Sequence, residues 1–206
     1  MTAIYVATED DLSEAVAYRL VDAANHGLDV SVSFRGRGFG DLKNKATELS
    51  GVARTFPVFL LTDLDTALCP LALQNQWLNS IMPPQDFLFR VAIHEVEAWL
   101  LADREGFAGF LNAPLSQIPL NPESLPDPKL TLLNLVNRYG SRGQKAGIVQ
   151  SINSNLKQGL EYNLQLGAFV KEHWSLEHAL VNADSLNRAY NRLCELAFRK
   201  AKGGPV

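Results

Sequence analysis

The chain has 206 residues, of which 47% are apolar and 20% charged, and a formal net charge of −3. That length and mix suit a globular body with a sizeable core, either one α/β domain or one with a helical extension. They exclude extensive disorder and a protein-wide basic field for nucleic acid, and two distant cysteines, Cys69 and Cys194, exclude a zinc motif or disulfide framework. No basic leader followed by an apolar stretch is present, nor a run long enough to span a bilayer, so the expectation is a cytoplasmic protein without membrane contact.

Ala3–Ala7 is a short β-branched and aromatic run, and the apolar-periodic segment Leu12–Ala24 follows Glu9, Asp10 and Asp11, which predicts strand, turn and helix. Ser13 or an acidic residue before it can cap that helix, while Glu9 falls where the strand ends. Leu28–Phe34 alternates apolar and polar residues and predicts a second strand with Val30, Val32 and Phe34 on one face. The glycine-rich loop Arg35–Gly40 fits no nucleotide fingerprint; it can bring Arg35 and Arg37 to a phosphate or, more commonly for such a loop, form a solvated turn, and Asp41–Val52 reads as a helix.

Phe56–Leu61 is continuously apolar, as a central strand covered on both faces would be. It ends in Asp63 and Asp65, which period-two alternation would place on one face at the strand's carboxyl end. Leu71–Leu78 predicts a short helix with Trp77 in the core, Phe87–Ile93 a fourth strand, and His94–Asp103 a helix. Strand and helix thus alternate four times, which implies a mainly parallel sheet of about four strands flanked by helices, with ligands collecting at the strands' carboxyl ends.

Five of the ten prolines lie in 113–128, which reads as an ordered arm crossing the surface. Beyond it, Leu130–Tyr139, Gln144–Leu156, Leu160–Val170 and Ser185–Arg199 carry helical spacing. The last has Leu186, Tyr190, Leu193 and Ala197 on one face, suited either to packing on the α/β body or to a dimer contact. The expected organisation is an α/β domain over 1–112, the arm over 113–128 and a helical extension over 129–206.

Charge is distributed unevenly: Arg35 to Arg54 carries five basic residues against two acidic ones, whereas Thr55 to Gly106 carries seven acidic against two basic. A basic lip beside an acidic centre suits metal-assisted phosphodiester chemistry, and it is also common on solvated surfaces. His94-Glu-Val-Glu97 lacks the second histidine of a zinc-protease helix. At about 100° per residue, Glu95 and Glu97 would lie on opposite sides of a helix, so only one should face a site; Glu97 is favoured, with His94 as an orienter or phosphate contact, and the alternative is that His94 caps or packs while both glutamates are solvated. Lys129 follows a turn and opens a helix, where it can lean toward a phosphate or stay exposed.

The ordered set Glu9-Asp10 with Leu12-Ser-Glu14, Thr62-Asp-Leu-Asp65 and His94-Glu-Val-Glu97 resembles the Toprim family, and more closely the Toprim-like bacterial proteins related to overcoming-lysogenization-defect nucleases. The resemblance spans about 105 residues, and Asp127-Pro-Lys129 extends it. It implies Mg2+-dependent nuclease activity on DNA or RNA, with Mn2+ as a substitute, in the setting of anti-phage defence or mobile elements. It also implies Asp63, Asp65 and Glu9 as metal ligands, and Glu9, Glu97 and Lys129 as catalytic residues. Arg35, Arg37 and His94 would touch substrate phosphate, and a homodimer or a partner protein of a defence complex would complete the system. Asp10 stands where the family commonly has glycine, and no glycine directly follows Asp65. A catalytically silent binding or sensor subunit and a small-molecule phosphohydrolase are the alternatives.

Overall fold

The computed structural model describes residues 2–24, 27–36 and 38–203. They fall into two compact units, one formed by 1–92 with 188–206 and the other by 93–187.

The first unit is built on a parallel sheet. Its strands are β1 (Thr2–Thr8), β2 (Leu28–Arg35), β3 (Val58–Asp63) and β4 (Phe87–Ala92). Helices α1 (Asp11–Ala23), α2 (Phe39–Val52) and α3 (Pro70–Trp77) connect them, and the spatial order is β2-β1-β3-β4. The expected four-stranded α/β architecture is therefore present. Continuous apolarity in β3 has its predicted cause: β3 is internal, and Val58, Phe59, Leu60 and Leu61 are buried, each burial worth ~2 kcal/mol. Asp10 caps α1, its Oδ1 accepting from the Ser13 N–H at 2.8 Å. Trp77 lies in the core, edge-on to Phe39 and Phe89.

Two local expectations fail. The pairing of β1 with β2 shifts between Ile4, opposite Val30, and Tyr5, opposite Val32, so Ser31 is an extra residue. This bulge turns Val30 away from the face carrying Val32 and Phe34, which disrupts the simple alternation. In addition, β3 ends at Asp63 and Asp65 lies beyond it with φ +48°, so strand alternation does not orient Asp65.

The carboxyl-terminal helix α10 (Asp184–Ala201) contributes its residues from Arg188 onward to this unit, burying Ala189, Leu193, Leu196 and Ala197. Tyr190 Oη donates to the Ala23 carbonyl at the end of α1 (3.0 Å). Arg199 and Lys200 hold Asp86, just before β4, at 2.8 and 2.6 Å. Burial pushes the Asp86 carboxyl up, but the hydrogen bonds and charges of Lys200 and Arg199 outweigh it and leave its pKa below the ordinary value.

The second unit is mainly helical: α4 (Glu97–Ala102), α5 (Arg104–Leu111), α6 (Pro128–Tyr139), α7 (Arg142–Ile148), α8 (Tyr162–Glu172) and α9 (Leu176–Asn182). The proline-rich arm is ordered, with 3-10 turns at Leu115–Gln117 and Pro122–Ser124. The helix expected over Gln144–Leu156 is not formed. Instead α7 stops at Ile148, and β5 (Val149–Ile152) pairs antiparallel with β6 (Asn155–Gln158) through Asn153 and Ser154, both with positive φ. Two left-handed residues in succession make a tight hairpin turn and cannot continue a helix. Among the described residues, no helix is long and apolar enough to cross a membrane.

Candidate functional site

The sheet order places β1 between β2 and β3. The connection from β1 therefore runs to one side and the next return runs to the other, which opens a crevice between the carboxyl ends of β1 and β3. Glu9 directly follows β1 and Asp63 ends β3. The Glu9 side chain bridges this switch point: Oε1 accepts from the Thr62 hydroxyl and from the Asp63 N–H (3.1 Å). Burial raises the Glu9 pKa above its ordinary value. The two hydrogen bonds pull it down, and the negative charges of Asp65 and Asp10 push it up again. Asp63 is half-buried, while Asp65 is exposed in its left-handed turn. This strained conformation is tolerated by Asp better than by most side chains.

Carboxylate oxygens suit a hard divalent cation, and both hydrogen bonds to Glu9 fall on Oε1, leaving its second oxygen for another role. Among the described residues, no three His, Cys, Asp or Glu side chains form a ready-made metal cage. Mg2+ keeps several waters and needs only one or two protein carboxylates, a number that the acids at this crevice could supply.

A separate polar cluster lies inside the second unit. His94 adopts φ +60° and Glu95 precedes α4, so the helix expected from His94 starts only at Glu97. This corrects the helical-phase argument that set Glu95 and Glu97 on opposite sides. Both meet Lys129: its Nζ lies 3.2 Å from Glu95 Oε1 and 3.5 Å from Glu97 Oε1, and its backbone N–H donates to Glu95 Oε2 (3.0 Å). Asp127 caps α6 by accepting from the Leu130 N–H (2.7 Å), which fixes the turn that presents Lys129. Lys129 is consequently ion-paired and half-buried, not the solvated side chain its position alone suggests.

Glu97 is the most constrained member, at 2% exposure. Tyr162, the first residue of α8, donates from Oη to Glu97 Oε1 at 2.6 Å, whereas Oε2 is buried without a hydrogen-bond partner. Burial raises the Glu97 pKa. Lys129 and the Tyr162 hydroxyl oppose that rise, and Glu95 adds to it. The Tyr162 phenol is pushed well above its ordinary value by its own burial and by Glu97. Nothing in the sequence around Tyr162 signals this role, since a tyrosine opening a helix reads as ordinary core.

Among the expected phosphate contacts, Arg35 pairs with Asp11 and, at 3.4 Å, with Glu14 of α1, so its charge is already met within the first unit. His94 is half-buried and, among the described residues, makes no hydrogen bond or ion pair. Arg37 lies outside the described residues.

The first unit belongs to the class of parallel α/β layers that carry acidic groups at the topological switch point. Among solved structures, the chain is similar to the C-terminal region of the Burkholderia pseudomallei OLD protein, at 14% identity over 94% of this chain and 98% of that one, with a TM-score of 0.48. It is also similar to the C-terminal region of the Xanthomonas campestris pv. campestris OLD protein, at 15% identity over 97% of each chain, with a TM-score of 0.42. No family model and no curated protein matches the chain. Likenesses this distant leave the functional reading to the residues themselves.

Proposed function

We propose that this chain is a Toprim-like, divalent-cation-dependent nuclease that hydrolyses phosphodiester bonds in DNA or RNA. The observation that carries this reading is the carboxylate arrangement at the switch point, where Glu9 reaches from the end of β1 to the backbone of Asp63 and lies within the electrostatic reach of Asp65. Asp63, Asp65 and Glu9 are the residues that would hold Mg2+, or Mn2+ in its place. The ion, when bound, stabilises negative charge on the phosphoryl oxygens and makes its water more acidic.

The chain's own groups have distinct tasks in this proposal. Glu9 turns one oxygen to Thr62 and Asp63, which orients the other. Glu97 is the acid/base group: burial favours its neutral form, and Oε2 is the atom where a proton can be held or released. Lys129 supplies positive charge and is held in place by Glu95. A phosphate contact by Arg35 would require exchange of its bonds to Asp11 and Glu14. Service as the effector of an anti-phage or mobile-element system, as a homodimer or with a partner protein, belongs to the same proposal and rests on the resemblance of the ordered acidic residues.

The test is incubation of the purified chain with plasmid, single-stranded DNA and RNA in Mg2+ or Mn2+, beside an Asp63→Ala/Asp65→Ala variant. Cleavage by wild type that disappears in the variant supports the proposal. A wild type inert on every polymer with either metal overturns it. Cleavage confined to nucleotides or cyclic dinucleotides transfers the site to small-molecule phosphohydrolysis.

A further inference from the structure

A cavity of about 450 Å3 lies within the second unit, between the start of α6 and the hairpin strand β6. Its size is that of a small-ligand pocket. Leu130 and Leu133, one helical turn apart on α6, and Leu156 of β6 give it an apolar wall, although Leu130 remains 41% exposed. The polar groups around that wall differ in whether they are already engaged. Glu95 accepts twice from Lys129, and Asp127 is the cap of α6. Lys157, by contrast, is exposed at the cavity and makes no ion pair among the described residues.

β6 adds a second kind of donor and acceptor. A two-residue turn closes on a hydrogen-bonded pair, here Ile152 with Asn155, so the alternating pattern directs the backbone groups of Leu156 and Gln158 away from β5. The cavity is lined by those same residues, together with Asn155. Its lining therefore combines aliphatic side chains, backbone groups along a strand edge, and Lys157, whose flexible stem carries an ammonium group that makes no ion pair among the described residues. These features match the three parts of a nucleotide: an apolar base face, a hydrogen-bonding base edge, and a phosphate.

From this geometry we infer that the cavity between α6 and β6 is a subsite for one nucleotide unit, with the base against Leu130, Leu133 and Leu156 and the phosphate at Lys157. The inference rests on the nuclease reading and deepens it by naming a place where one nucleotide of the strand is held. Gln158 connects the subsite to the buried cluster, because it lies beside the Tyr162 hydroxyl that donates to Glu97.

The test is calorimetric titration of the full chain, in EDTA so that metal plays no part, with each of the four nucleoside 5′-monophosphates, with the corresponding nucleosides, and with inorganic phosphate. Saturable binding of at least one monophosphate is expected, tighter by ~10-fold or more than its nucleoside or phosphate alone. Lys157→Ala should weaken that binding ~10-fold, as loss of a charged hydrogen bond does. Leu130→Gln should weaken both monophosphate and nucleoside. Lys157 and Leu130 are surface-accessible, so both variants should keep the wild-type circular dichroism spectrum and melting transition. No binding by wild type overturns the inference, as does phosphate binding as tightly as every monophosphate, or binding unchanged in both folded variants. The nuclease reading separates cleanly. Cleavage that persists without monophosphate binding removes the subsite alone, while monophosphate binding by a chain that cuts no polymer removes the nuclease reading alone.

Discussion

Replacing Tyr162 with phenylalanine removes one oxygen from a fully packed position and leaves the ring in place. Glu97 then loses its 2.6 Å donor and retains only Lys129, at 3.5 Å, while its Oε2 stays unpartnered. A hydrogen bond to a charged group is worth more than a neutral one, and both residues are only 2% exposed, so screening by water is slight; the expected loss in folding stability is ~2 kcal/mol at neutral pH. Tyr162→Phe also removes the contact with Gln158, so the single variant overstates the Glu97 pair. A double-mutant cycle with Glu97→Leu isolates it, because once Glu97 has been replaced the phenol has no carboxylate to meet. Urea unfolding of the four proteins should give a coupling of ~2 kcal/mol.

The coupling should also depend on pH in a defined direction. The folded-state pKa of Glu97 lies above its unfolded value near 4.5, so folding is favoured by protonation. That contribution is complete below 4.5 and is lost as pH rises through the folded-state pKa. Removing the Tyr162 donor raises the folded-state pKa further, so the penalty of Tyr162→Phe should grow as pH rises from 4.5. A coupling below ~0.5 kcal/mol, within ordinary cycle error, or a penalty that shrinks with rising pH would refute the reasoning.

Asp86→Asn should destabilise the chain by ~1 kcal/mol, since its two basic partners are partly solvated, and the deficit should vanish as pH falls below 3.8, the range in which the depressed folded-state carboxyl itself titrates; chemical unfolding at neutral pH and again well into that acid range checks both. Ser154→Gly should stabilise by ~1 kcal/mol, because φ +66° strains serine but not glycine, and thermal unfolding would read this as a raised midpoint. Gly106→Ala should destabilise by more than ~1 kcal/mol, because the added methyl would stand 1.9 Å from Oδ2 of buried Asp103, which is itself tied to the Ser175 N–H at 2.7 Å; a midpoint equal to wild type would show that Asp103 can move aside.

The alternating layer is legible in the sequence because its signals are redundant: β-branched runs, apolar helical faces and turn residues all point to the same elements in the first hundred residues. The hairpin is not. Ile148, Ile152 and Leu156 recur every four residues and mimic a helical stripe, although Asn153-Ser154 is a turn signal set between two short strands. Glu95 is misread for a related reason. Its direction depends on the left-handed conformation of His94, and sequence spacing describes a residue's face only after the helix has begun. Strand alternation orients Asp63 but not Asp65, because the strand ends between them. Tyr162 is separated from Glu97 by 65 positions, so only the tertiary fold could bring it into the cluster.

Glu97 and Glu9 also differ in what a purely structural role could explain. Glu9 spends one oxygen tying the ends of two strands, a task that would account for a carboxylate even without chemistry. Glu97 spends Oε1 in a comparable way on Tyr162 and Lys129, but its second oxygen has no such task. One of its oxygens is buried without a hydrogen bond, an arrangement that costs ~1–3 kcal/mol, and Lys129 would still be paired by Glu95 if Glu97 were removed. A leucine in place of Glu97 would relieve that burden at similar volume but would strip the buried Tyr162 hydroxyl of its carboxylate, so only replacing both residues would test whether the acid is dispensable for stability. The unpartnered Oε2, and not the bond to Tyr162, is therefore the feature that the proposed acid/base role would account for.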